Sequence, residues 1–364
     1  MAVRRRRRVT WLAVAAVLVL AGCGLGGEPA QDPPSTDPAG ADPTSTDAPP
    51  ADQPHLIPGI DPFTGSGTAA NELLRETTSS PPVPSGTGEV RITCGVSHYS
   101  YDDPIVFPGE PGASHLHTFL GNAGTDAYST YESLRDEPAG STCAGGSANK
   151  SAYWTPSLID ADSGTVVEPT LAFVYYKTGY WGQDAESIQD IPNGLRMISG
   201  DATADSPQPD WQVRWTCATH NGDGVPLETL DEGPAIVDCD EGQLLDATVM
   251  FPQCWNGVDL DSADHQSHLA HPEFDGSCPS GYPVLLPQIT LHMTWALGPG
   301  GTEGFYLSND MMTPDGAPPG QGLHADFMDA WTPELRESIT INCLRQRLDC
   351  GVRNLGDGYD LVDP

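Results

Sequence analysis

Apolar and polar residues alternate in short runs over much of the chain. In Trp211 to Cys217 (WQVRWTC), Trp211, Val213, Trp215 and Cys217 fall on one side and Gln212, Arg214 and Thr216 on the other. This is the period-two pattern of a strand with one wet face. Comparable runs lie at Val90 to Cys94, Val166 to Tyr176, Leu195 to Ile198, Leu245 to Phe251, Gln288 to Trp295 and Gly304 to Leu307, bounded by Gly, Pro, Asn and Asp. Helical periodicity is scarce. The candidates are Ala325 to Ala330, with a loop as the alternative, and Thr332 to Gln346, where Thr332 as N-cap, Pro333 behind it and Glu334 in the first turn make a start signal. The pattern predicts a mainly β fold: an antiparallel, jelly-roll-like β-sandwich with long loops and a short C-terminal helix.

The first residues follow a different pattern. Five arginines, Arg4 to Arg8, precede an apolar stretch, Thr10 to Leu20, which ends at Leu20-Ala21-Gly22-Cys23. The stretch is the length of a signal-peptide core and short for a membrane span. Its end resembles the bacterial lipobox, so residues 1–22 read as a lipoprotein signal peptide and Cys23 as the lipidation site. Acyl chains contribute about 0.8 kcal/mol per buried methylene, so the lipid alone would hold the chain at the outer face of the cell membrane. Residues 23–88 are rich in Pro, Asp, Ala, Thr and Ser, too poor in large apolar side chains to offset their ordering entropy. They read as a disordered tether, with at most one helical turn over Asn71 to Thr77, and residues 89–364 as a single globular domain.

Composition narrows the partners. The 364 residues carry 16 Lys+Arg against 50 Asp+Glu, a net charge of −34, and without the five leader arginines the balance becomes 11 against 50, or −39. Such a surface repels phosphate backbones, which excludes nucleic acid as a general partner and leaves the membrane to the lipid anchor. Beyond Cys23 come eight cysteines: Cys94, Cys143, Cys217, Cys239, Cys254, Cys278, Cys343 and Cys350. An even number in an exported chain reads as disulfides. Of about a hundred connectivities, pairing in sequence order closes the shortest loops.

The chemistry concentrates at histidines in three segments. His115 and His117 share one, with Asp103 at its start; Asp264, His265 and His268 share the second; His324 and Asp326 form the third. In extended backbone His115 and His117 point the same way, as do His324 and Asp326; on a helical turn or tight loop, so do His265 and His268. Three local pairs of imidazole or carboxylate groups can meet in one cleft, as ligands of a divalent metal or as acid and base groups without one. His98, His220, His271 and His292 lack such company and read as structural or surface residues. Tyr153-Trp154, Tyr175-Tyr176 and Tyr180-Trp181 are possible sugar-stacking platforms, against the commoner role of strand aromatics as core.

Taken in order, DPIVFPGEPGASHLHTFLGN, SAYWTPSLID, IPNGLRMISGD, FPQCWNGVDLDSADHQSHLAHP, CPSGYPVLLPQI and HADFMDAW resemble the DUF1996 family of secreted bacterial and fungal proteins. The resemblance implies export, work at cell walls or polysaccharides, and functional weight at the shared motif positions, among them His115, His117, Asn122, Tyr153, Trp154, Arg196, Trp255, Asp264, His265, His268, His324 and Asp326. This chain departs from the family pattern before its last motif, where Asp310 or Asp315 would have to replace an acidic residue.

Three function classes fit. The first is a carbohydrate-active hydrolase or lyase acting on envelope or environmental polysaccharide. Its acid and base groups would be His117, His265 or His324, with Asp326 and Asp264 orienting, and its substrate contacts His115, Asn122, Tyr153, Trp154, Arg196 and Trp255. The second is an exported protein that holds one divalent metal ion through His115, His117, His265, His268 and His324. The third is a non-catalytic glycan-binding or envelope-structural protein. No GxSxG elbow, HExxH or Walker loop is present, which lowers serine hydrolase, zincin and NTPase readings.

Overall fold

The computed structural model describes residues 74–138, 140–220 and 226–363; the leader, Cys23 and the first part of the tether lie outside them. Two antiparallel sheets carry the fold. The large one has eight strands, in the spatial order 226–233, 213–220, 244–250, 288–296, 171–177, 89–94, 348–352 and 83–84. Only the 348–352 strand runs parallel to its neighbour, 89–94. The small sheet has five, in the order 196–200, 324–328, 152–156, 117–121 and 96–100. The chain crosses repeatedly between them, and the described residues fall in one compact unit.

Alternation decides what each sheet presents inward. Val90, Ile92, Val174, Tyr176, Val213, Trp215, Leu291 and Met293 of the large sheet share one core with Leu120, Tyr153, Met197, Ala325 and Phe327 of the small sheet. The phenols of Tyr153 and Tyr176 join the sheets at 2.6 Å, and the Trp331 indole N–H donates to the Tyr176 oxygen at 2.9 Å. The result is the expected β-sandwich. All four disulfides pair in sequence order: Cys94 with Cys143, Cys217 with Cys239, Cys254 with Cys278, and Cys343 with Cys350.

Four local expectations change. Ala325 to Ala330 is neither helix nor loop, because His324–Met328 is a strand with ladder partners on both sides; tertiary pairing overrides the helix preference of Ala and Met. The C-terminal helix starts at Pro333 with Thr332 as N-cap but ends at Ile339 and continues as one wider turn, Thr340–Leu344. The domain also begins before residue 89. Leu74–Glu76, read as tether or a helical turn, is a strand paired with Tyr359–Leu361, and Val83–Pro84 pairs with the 348–352 strand. The run Val166 to Tyr176 is two strands, 165–166 and 171–177, interrupted at Pro169, which lacks a ladder donor.

Candidate metal centre

The outer face of the small sheet holds the candidate site. Its register places Ile198, Asp326, Trp154 and Phe119 in one cross-strand row. His324 and His117 lie two residues from Asp326 and Phe119 on their own strands and therefore on the same face. His115 enters the His117 strand with the same parity. Ring centroids of His115 and His117 are 4.1 Å apart, of His115 and His324 5.1 Å, and of His117 and His324 6.1 Å. Each imidazole offers one nitrogen such that the three lie within 4.8 Å of one another, and all three residues are buried.

Hydrogen bonds fix which nitrogen is offered. His117 Nδ1–H donates to the Asp102 carbonyl at 3.0 Å, and His324 Nδ1–H to the Gly322 carbonyl at 2.9 Å. A carbonyl only accepts, so both Nδ1 atoms carry protons. Burial pushes both residues down to about 4, helped at His324 by the neighbouring His117. Near neutrality both rings are therefore uncharged and their Nε2 atoms present lone pairs, the arrangement in which an outer hydrogen bond orients a metal-ligating imidazole. His117 Nε2 has no hydrogen-bond partner.

Two carboxyls complete the floor. Asp326 is 1 % exposed and lies 4.0 Å from His324 Nε2, yet neither of its oxygens receives a hydrogen bond. Burial, and then the nearby Asp103, raise it well above the usual carboxylate range. Asp103 is also raised by burial, although it accepts the backbone N–H groups of Ile105 and Val106 at 2.9 Å each. A cavity of about 290 Å³ opens above them, lined by Asp103, Ser114, His115, His265, His324 and Asp326 among others. Gly200, the register partner of His324, sits at φ +90°, and a Cβ there would meet the Leu323 carbonyl oxygen at 2.5 Å and His324 Cβ at 2.9 Å.

Other expected site residues have different work. His265 reaches the cavity wall, held by Asp261 at 2.9 Å, but stands outside the three-imidazole group. His268 cannot ligate as expected: its Nε2–H donates to the Arg196 carbonyl at 2.8 Å and its Nδ1 meets the Ser262 hydroxyl at 3.0 Å. Asp264 stands at the cavity mouth and accepts from Ser267 N–H, the Ser262 hydroxyl and Gln266 N–H, which hold it well below the usual range and commit it to its loop. Arg196 pairs with Asp261 at 3.1 Å and anchors that loop rather than a substrate.

Asn122 spends its amide on the Leu134 and Lys150 carbonyls and the Gly124 N–H. Tyr153 points into the sandwich core and Trp154 is buried against Phe119, so neither is a platform. The Trp255 indole donates to the Asp259 carbonyl in a separate three-stranded ribbon. Asp310, the substitute acid, accepts from Leu307 and Gly320 N–H and closes a turn. Asp103 was not singled out as a site residue; its one sequence signal is that it opens the segment carrying His115 and His117.

Residues 103–331 match the family model "Domain of unknown function (DUF1996)". The chain belongs to the DUF1996 family. The three imidazoles, Asp103, Asp326 and His265 all fall inside the matched span, so this DUF1996 domain contains its candidate site whole. No curated protein and no solved structure matches the chain. No helix among the described residues is long and apolar enough to cross a membrane.

Proposed function

We propose that this chain is an exported, lipid-anchored protein whose DUF1996 domain binds one divalent first-row metal ion through His115, His117 and His324. The observation that carries this reading is the convergence of three buried imidazoles, two with Nδ1 tied to a backbone carbonyl and Nε2 directed as a lone pair. Zinc–nitrogen bonds of about 2.0–2.1 Å in tetrahedral geometry require the three nitrogens to draw closer than their present spacing of up to 4.8 Å. Asp326 beside His324 supplies a carboxylate for a fourth position or a hydrogen bond to a metal-bound water. Three protein ligands and one open position facing a cavity is the pattern of a reactive rather than a purely structural centre. A bound cation would also lower the carboxyls, since it favours their charged forms. The four disulfides agree with an oxidising compartment outside the cytoplasm.

The test is metal analysis of untagged full-length protein after equilibration with Zn²⁺, Cu²⁺ and Mn²⁺. About one equivalent of one of them is expected for wild type, and near zero for His117→Ala and His324→Ala with unchanged circular dichroism. Asn122→Ala and Arg196→Ala should retain the metal. A wild-type protein without metal, or variants that keep it, overturns the proposal.

A further inference from the structure

The outer face of the large sheet carries a second groove, remote in residues from the three imidazoles. Two adjoining hollows of about 250 and 380 Å³ share Tyr175, Arg214, Thr248 and His292 as lining, so they are parts of one channel across the strands. The register gives the floor: His292 lies opposite Thr248 on one side and Phe173 on the other, and Thr248 opposite Arg214. One end rises into an aromatic wall. Trp181 and Trp211 meet at 5.5 Å, Trp181 and Phe274 at 5.2 Å, and Tyr180 and Phe274 are 42 % and 69 % exposed. This is a cluster of large rings left at the surface beside a polar trough, where apolar surface normally would be covered.

The basic groups in the trough are already matched, and so is its buried carboxylate. Lys177 pairs with Glu89 at 2.6 Å and lies over the rings of Tyr175 and Tyr180 at 4.7 and 5.0 Å. Arg214 pairs with Glu232 at 3.7 Å. Asp246 is 5 % exposed and is held by His292 at 3.1 Å and by the Thr248 and Thr294 hydroxyls at 2.9 and 2.8 Å. With His292 Nδ1–H turned to Asp246, the remaining nitrogen, Nε2, can accept from or donate to a ligand. The groove thus offers ring planes, hydroxyls and one oriented imidazole, with both of its lining cations already paired, while the carboxylates of Asp210 and Glu228 in its lining disfavour an anionic ligand.

From this arrangement we infer that the groove binds an uncharged oligosaccharide, its pyranose faces against the Tyr180, Trp181 and Trp211 wall and its hydroxyls on His292, Thr248 and Arg214. Aromatic rings bury the apolar ring face of a sugar, while neutral hydroxyls need matched donors and acceptors rather than a net field. The site is independent of the metal proposal, since it uses none of the same residues.

The test uses full-length protein in detergent and reads tryptophan emission, because two indoles form the wall. Cello-, xylo-, manno- and laminarihexaose are the neutral probes and hexagalacturonate the anionic one. A saturable change is expected with at least one neutral hexasaccharide, weakened at least tenfold by Tyr180→Ala and by His292→Ala, and unchanged in His117→Ala. Tyr180 is exposed, so its variant folds even where the other does not, and thermal unfolding of both checks this. No response to any neutral probe, binding indifferent to Tyr180→Ala, or preference for hexagalacturonate overturns the inference.

Discussion

The two outer faces of this sandwich use the same residue types to opposite ends. On the large sheet, Asp246 is buried, which would raise it, but His292, Thr294 and Thr248 hold it below its ordinary value. On the small sheet, Asp326 is equally buried beside His324, receives no hydrogen bond, and is raised well above its ordinary value. A buried carboxylate with three donors is a finished structural unit; one with none is costly unless protonated or given a cation. The difference separates an oriented dyad under an open groove from a buried carboxyl whose missing partner the proposed metal would supply.

Breaking the finished unit should have the largest effect. Asp246→Ala strands His292, Thr248 and Thr294 and should destabilise the fold by about 3 kcal/mol in urea unfolding. Asp326→Asn removes no hydrogen bond and should change metal-free stability by less than about 1 kcal/mol, while weakening metal retention. Equal losses from the two variants would erase the contrast.

Acid should expose the next difference. His271, packed on Trp211 at 4.9 Å beside the groove, is pushed down to about 4 by burial alone. Its unfolded form, with an ordinary value near 6.5, binds the proton first as pH falls, so its contribution to stability is present above about 6.5 and lost downward toward 4. By linkage, wild type should lose about 2 kcal/mol from this residue between pH 7.5 and 5, and His271→Phe should be spared that much. His117 and His324 titrate in the same sense, but Asp103 and Asp326 oppose them. Raised carboxyls keep protons in the folded state, so their contribution is fully present below about 4 and lost as pH rises. A His271→Phe curve parallel to wild type would rule out a buried neutral ring.

How much of this was legible depended on range. The parity of His115 with His117 and of His324 with Asp326 is a two-residue property, and it survived because both pairs lie in or at the entry of strands. The same rule separates Tyr153 from Trp154, which read as one platform only while their strand was unplaced. His268 was unreadable, because its partners are a carbonyl 72 residues away and a serine that folds back on it. The Asp246–His292 pair was hidden for the same reason: each sits on the wet face of its strand, but their meeting depends on the ladder that brings together residues 46 apart in the chain.

The glycines make a smaller test of the same contrast between a crowded and an open place. At Gly200 an added Cβ meets the Leu323 carbonyl and the backbone of His324, whereas at Gly109, with a similar φ of +81°, nothing lies within 4 Å. Both substitutions carry the left-handed penalty of about 1 kcal/mol. Gly200→Ala should cost about another 1 kcal/mol or more in unfolding experiments and, by displacing His324, reduce metal affinity, while Gly109→Ala leaves affinity alone.

The smallest effect belongs to the rim of the groove. Arg214 and Glu232 meet at 3.7 Å with side chains 39 % and 53 % exposed, so solvent and salt screen their attraction and the pair contributes well under about 1 kcal/mol. Glu232→Gln should therefore leave urea stability within about 0.5 kcal/mol of wild type. It should, however, release Arg214 from its partner and remove one negative charge from the trough's rim. If recognition there rests on ring faces and neutral hydroxyls, the variant should gain affinity for hexagalacturonate while its response to the neutral hexasaccharide stays within about twofold. A neutral-probe response that collapses in Glu232→Gln would instead place the ion pair itself at the centre of the groove's chemistry, and the two faces would differ less than their hydrogen bonds suggest.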